Sequence, residues 1–367
     1  MTLSIIHTES SLGWGGQELR VLTEAAGCVR RGHRVMLLAP PQATLLQRAA
    51  EFGVPAHPLP LAGKNPRALW ALQRWLRNAT ADLLVSHSST DSWLAALAVR
   101  LSRPLPIVRL RHISAPVPRN RATRWLYRHG CRHVVTTGAS IRSDLMARLG
   151  LPPERVTSIP TGIDLERYAP GSREAARQRL GLPQGETLMG IVATLRSWKG
   201  HADLLHAVAR MNRPATRLVV VGNGPQWENL HQLAGDLGLG PRVLFVGEQR
   251  DVVPWLQSLD LFVLPSYANE GVPQSLMQAM AVALPVVSTP VGAIGELVLP
   301  GQTGFMTPPR DVAALADTLH RVLEDPDGAA AMARRGRQRV VDQFGMETML
   351  DRMEAVFRQV TASPPGG

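Results

Sequence analysis

Glu270 stands between a short apolar run, Leu261 to Leu264, and a helix expected to open with Gly271-Val272-Pro273. A carboxylate there suits a ligand carrying both hydroxyls and a diphosphate. It accepts two hydroxyl hydrogen bonds at once, as a sugar ring offers. The N–H groups of the first helical turn, beside it, receive anionic oxygens. A second apolar run, Leu284 to Val287, ends in a small-residue loop, Val291 to Gly295, that leads to Glu296. Upstream, Arg196 and Lys199 follow the apolar run Leu188 to Ala193. A guanidinium fork and a point-like ammonium together neutralise a pyrophosphate well. Near the N-terminus, the Gly15-Gly16 turn lets backbone N–H groups come close to a ligand. The plain alternatives are a helix-capping glutamate, a surface Arg and Lys, and an ordinary tight turn.

Positioning these residues takes strand–loop–helix units. Residues 260–297 read as strand, loop, helix, strand, loop, which is a βαβ unit. Further strands read from Leu3 to His7, Arg34 to Ala39, Asp82 to His87, Ile107 to Leu110, Val134 to Thr137 and Val156 to Ile159, with helices between them. Alternating strands and helices imply α/β architecture with parallel sheets, and ligands then sit beyond the carboxyl ends of the strands. His87 and His112 follow two of those ends. Between them and the second half, PRNRATRWLYRHGCRH places Arg121, Arg124, Arg128 and Arg132 three or four residues apart, with Trp125 and Leu126 alongside. On a helix these form one basic stripe. An anionic membrane surface would suit it, as would plain solvent. Residues 67–77, with Arg67, Trp70, Arg74, Trp75 and Arg77, make a second such patch.

The 367 residues carry 45% apolar side chains, enough for roughly two domains with proper cores. The net charge of +11 admits nucleic acid, anionic membranes or phosphorylated small molecules as partners. Arginines scattered over several patches, with no nucleic-acid module, argue against nucleic acid. Cys28 and Cys131 have no metal-ligand spacing and build no disulfide framework, so a reducing compartment is expected. The N-terminus lacks a signal-peptide pattern and no apolar run approaches a spanning helix. The expected location is cytoplasmic, including the inner face of the cytoplasmic membrane. Asp325-Pro-Asp327 lies between helices rather than after a strand, so no metal site is expected.

Glu270-Gly-Val-Pro273, followed by Gln278-Ala-Met-Ala281 and Pro285-Val-Val287, resembles the donor site of retaining GT-B glycosyltransferases of the family-4 type. Lys199-Gly200, Gly222-Asn-Gly224, Pro160-Thr-Gly-Ile-Asp164 and Pro300-Gly-Gln-Thr-Gly304 resemble other motifs of that family, and the resemblance spans nearly the whole chain. It implies the GT-B fold: two Rossmann-like doubly wound domains facing a central cleft. The domains would be residues 1–165 on the acceptor side and 166–345 on the nucleotide-sugar side, with a helix in 346–367 crossing back. It implies a nucleotide sugar as substrate, UDP-linked before GDP or ADP, and no cofactor or metal. Glu270, Arg196, Lys199 and His112 would be the catalytic set. Gly15, Gly16, Gly222, Gly224, Gly271, Val272, Pro273, Gln278 and Glu296 would bind the donor. His87, Arg121, Arg124, Trp125 and Arg128 would meet a glycan or lipid-linked acceptor, or the membrane. Gln278 stands where the family carries its second glutamate, and Ala283 where it carries a glycine. A nucleotide-sugar epimerase on the same scaffold, or a non-catalytic binder, are the alternatives.

Overall fold

The computed structural model describes residues 2–362. The chain divides into two compact units. One comprises the chain up to Gly162 together with the segment from Glu347 on; the other is Ile163–Met346.

The first unit holds seven parallel strands: β1 (Ser4–Thr8), β2 (Arg34–Ala39), β3 (Ala56–Pro58), β4 (Leu83–Ser86), β5 (Ile107–Arg111), β6 (His133–Thr136) and β7 (Val156–Ser158). Their order is β3-β2-β1-β4-β5-β6-β7. The second unit holds six: β8 (Thr187–Val192), β9 (Thr216–Val221), β10 (Val243–Gly247), β11 (Leu261–Leu264), β12 (Val286–Ser288) and β13 (Phe305–Met306), in the order β10-β9-β8-β11-β12-β13. Both follow the doubly wound Rossmann pattern, in which the order reverses beside the first strand. Strands buried on both faces read as continuous apolar runs. LFVL of β11 and LLV of β4 are such runs, each fully buried. Ile6, Leu38 and Leu84 meet Leu72 and Tyr127 in the first core. Ile191, Val220, Phe262 and Val287 meet Leu204 and Leu276 in the second.

Several helices begin where short polar side chains accept a first-turn N–H. Asn65 caps Pro66–Asn78 through Ala68 N (2.9 Å), and Asn120 caps Arg121–His129 through Thr123 N (2.7 Å). Asp325 caps Pro326–Gln343 through Gly328 N, which is the work this carboxylate does.

The helix after β11 begins at Gln274, not at Gly271. Val272 precedes a proline, whose ring disfavours the helical region for it. Pro273 therefore becomes the extended N-cap (φ −68°, ψ 127°), and Glu270 to Val272 remain loop. The same helix ends at Ala281, and Ala283 takes the left-handed conformation with φ 61°. That is the position glycine normally fills. A Cβ there costs about 1 kcal/mol. Ala283→Gly is accordingly expected to stabilise the second unit by roughly 1 kcal/mol, or about 3 °C in Tm. Thermal unfolding checks it; an unchanged or lower Tm contradicts it.

Candidate active site

In a doubly wound sheet the ligand crevice opens where the strand order reverses. In the second unit that point lies between β8 and β11. Lys199 follows β8 and Glu270 follows β11. Lys199 Nζ lies 2.7 Å from Glu270 Oε1, and Ser266 Oγ donates to the same oxygen at 2.6 Å. Glu270 is 4% exposed. The two loops are also tied through their backbones, Tyr267 N donating to Trp198 O at 2.8 Å. Asn269, just before Glu270, is left-handed (φ 59°), and such non-glycine backbone often marks a functional turn.

The loop after β12 closes on the same point. Gly292 has φ 61°, and a Cβ there would stand 2.1 Å from the Glu270 carbonyl oxygen. Only glycine permits that approach. Glu296, expected in the loop, sits half-buried in a short helix, Ile294–Leu297. Gln278 lies on the inner side of the Gln274–Ala281 helix, 6% exposed. The helix N-terminus that could receive anionic oxygens is therefore at Gln274, so Gly271 and Val272 contribute as loop residues.

Arg196 takes a different direction from Lys199. It is exposed, its guanidinium lies 5.6 Å from the Trp198 ring centroid, and it lines a cavity of about 260 Å³ with His201, Asp203, Tyr267 and Arg310. Arg310 stacks on Tyr267 at 3.9 Å. Nothing in the local sequence singles out Ser266, Tyr267 or Arg310; their partners come from other strand ends. Gly222 and Gly224 form the turn after β9, and its first use is packing. A Cβ on Gly222 (φ 137°) would meet Ala193 O at 2.0 Å, and Leu195 N donates to Asn223 O at 3.0 Å. The turn thus braces the Thr194–Lys199 loop from behind.

In the first unit the strand order reverses between β1 and β4. The loop after β1 is organised by Glu9, whose buried carboxylate accepts Ser10 N (2.7 Å), Ser11 N (3.0 Å) and the Gln17 side chain. Burial, reinforced by the Asp91 charge, pushes its pKa up to about 8. Gly15 is the N-cap of the helix Gly16–Arg30 with extended backbone (φ −175°), so this turn needs no left-handed residue. His87 and His112 do come together: His87 Nδ1 and His112 Nε2 are 3.2 Å apart. His7, at the β1 end, joins from the other side, its Nδ1 3.0 Å from His87 Nε2. His7 went unmarked in the sequence because it lies inside a strand that reads as core.

The basic stripe on Arg121–His129 is shorter than its spacing implies. The helix ends at Gly130, so Arg132 lies beyond it and opens the approach to β6. Arg128 is spent on the neighbouring helix end, donating to Leu149 O (3.1 Å) and Gly150 O (2.8 Å). Trp125 is half-buried, stacked on Trp93 (5.8 Å) with Arg100 4.9 Å from its ring. Arg121 and Arg124 remain exposed. The helix Pro66–Asn78 keeps its stripe: Arg67, Trp70, Arg74 and Arg77 are all exposed, and Trp70 is 60% accessible. No helix among the described residues is long and apolar enough to cross a membrane.

Known proteins match this arrangement across the chain. Residues 172–339 match the family described as "Glycosyl transferases group 1", and residues 14–167 match "Glycosyltransferase Family 4". A D-inositol 3-phosphate glycosyltransferase from Catenulispora acidiphila is 31% identical, covering 87% of this chain and 83% of that protein. The lipopolysaccharide core biosynthesis mannosyltransferase LpsB of Rhizobium meliloti is 29% identical, covering 89% and 93%. The crystal structure of Anabaena Alr3699/HepE in complex with UDP-glucose superposes with a TM-score of 0.88 at 23% identity, covering 97% of this chain and all of that one. The chain belongs to the group 1 glycosyltransferases, and its two parallel-sheet Rossmann-like domains are those of the GT-B fold.

Proposed function

We propose that the protein transfers a sugar, with retention of anomeric configuration, from a UDP-linked donor to a hydroxyl of a glycan or lipid-linked acceptor in surface glycan synthesis. The observation that carries this reading is the Lys199–Glu270 pair at the switch point of the second sheet. A donor entering there has a use for each partner. Lys199 turns to the diphosphate, joined by the N–H groups at Gln274, and Arg196 swings from its place beside Trp198 to join them. Glu270, still held by Ser266, accepts sugar hydroxyls. Charge building on the leaving diphosphate is then met by groups that donor binding has brought into place, which is electrostatic catalysis. Those cations suffice without a metal in this reading. The acceptor hydroxyl attacks on the face from which the nucleotide leaves, so no protein nucleophile is required.

Two relatives support the finer points. The Anabaena protein was crystallised with UDP-glucose, and the Rhizobium protein makes lipopolysaccharide core. The exposed stripe Arg67, Trp70, Arg74, Arg77 offers anionic lipid headgroups a basic, aromatic face.

Calorimetric titration with UDP, GDP and ADP in EDTA tests the proposal. UDP is expected to bind, and Lys199→Ala to weaken it at least about tenfold. Folded protein that binds none of the three, or binds only with added metal, overturns the donor reading. Co-sedimentation with phosphatidylglycerol vesicles, lost in Arg67→Glu/Arg74→Glu, tests the membrane part.

A further inference from the structure

Three imidazoles from the carboxyl ends of three adjacent strands form one row. His7 is the last residue but one of β1, His87 follows β4 and His112 follows β5. The nitrogens meet in sequence: His7 Nδ1 to His87 Nε2 at 3.0 Å, and His87 Nδ1 to His112 Nε2 at 3.2 Å. The row is anchored at its backbone. Asp91 accepts His87 N at 2.8 Å, and Thr137 Oγ1 donates to His112 O at 3.0 Å. His7 is 0% and His87 3% exposed, whereas His112 is half-buried.

Counting protons leaves few states. Burial keeps the rings neutral: it lowers the His7 pKa to about 3 and those of His87 and His112 well below the usual value. A neutral imidazole carries one N–H. Each of the two ring-to-ring bonds needs one proton, and His87 can supply only one of them. The row is therefore either all Nδ1–H or all Nε2–H. The two states differ at the ends. In the all-Nε2–H state, His7 Nε2–H would be a buried donor, and that atom has no partner. A buried donor left without a partner carries the full cost of its desolvation. In the all-Nδ1–H state the same atom is only a lone pair. The proton then appears at the other end, on His112 Nδ1, the nitrogen not used inside the row.

We propose that His7 and His87 are positioning residues that hold His112 as its Nδ1–H tautomer, so that this ring presents a neutral hydrogen-bond donor to a ligand oxygen. The tautomer follows from the row itself; only the identity of that oxygen, a hydroxyl of the acceptor, rests on the transferase reading.

The test is long-range 15N–1H correlation spectroscopy on the full chain with labelled histidine, His112 being assigned by its absence in His112→Gln. Wild type is expected to show the proton on His112 Nδ1 and none on Nε2. His7→Asn, whose amide N–H replaces Nδ1–H, should keep that pattern. His7→Leu should leave His112 a mixture of tautomers, with kcat/KM about tenfold lower and restored in His7→Asn. A wild-type proton on His112 Nε2 overturns the proposal, as does a folded His7→Leu with unchanged tautomer. If His7→Leu does not fold, the wild-type and His7→Asn spectra still decide. The spectra need no substrate, so failure of the transferase reading would show as absent turnover beside the expected tautomer.

Discussion

Glu270→Ala is expected to lower kcat/KM for sugar transfer by roughly a thousandfold while leaving the protein folded. The magnitude comes from what the carboxylate does in the proposed site. Two charge-assisted hydrogen bonds to sugar hydroxyls contribute about 1.5–3 kcal/mol each. Their joint loss corresponds to roughly two to four decades in rate. The fold is spared because Glu270 lies in a loop, and its partner Lys199 is partly exposed and can be hydrated once unpaired. Glu270→Gln keeps the shape and one acceptor oxygen, so it should lose less, about ten- to a hundredfold. Steady-state kinetics with matched melting curves provide the check. Turnover within a few-fold of wild type in Glu270→Ala would reduce this residue to a structural partner of Lys199.

The second large effect is on stability. Arg20→Met is expected to destabilise the first unit by about 3–5 kcal/mol, roughly 10 °C in Tm. Arg20 and Glu24 are both 0% exposed, one helical turn apart, with Arg20 Nε 3.4 Å from Glu24 Oε2. The guanidinium also donates to Ile159 O (2.8 Å) and Thr161 Oγ1 (3.3 Å), pinning the Pro160-Thr-Gly turn to the helix Gly16–Arg30. Burial pushes the Arg20 pKa down and the Glu24 pKa up, so each ion depends on the other. Removing Arg20 strands a buried carboxylate whose second oxygen already lacks a partner. Arg20→Met/Glu24→Met removes both charges and is expected to recover most of the loss. A single variant that melts like wild type, or a double variant no better than the single, would contradict this account.

Much of the architecture was legible because its signals are local. Buried parallel strands need unbroken apolar runs, and LFVL, LLV and VVV are visible without partners. Lys199 and Glu270 stand out for a related reason: each follows such a run, and loops after parallel strands carry ligands. Ala283 illustrates what local reading misses. The resemblance marks it as a departure, yet the strain exists only because the helix ends there in a left-handed turn. The helix start shows the converse, since the Val-Pro pair held enough information to place it after Val272.

What remained hidden depends on strand order. Whether His7, His87 and His112 form a row is decided when β1, β4 and β5 become neighbours, which brings His7 and His87, 80 positions apart, into contact. The 71-residue separation of Lys199 and Glu270 is closed the same way, by β8 lying beside β11. The basic stripe on Arg121–His129 lost Arg128 and Trp125 to carbonyls and rings supplied by other helices. Residue types and spacing thus state which groups are available and to which face of an element they belong. Which of them meet, and which are consumed by packing, follows from the order in which the sheets assemble, because hydrogen bonds and burial act over a few ångströms in space and are indifferent to distance along the chain.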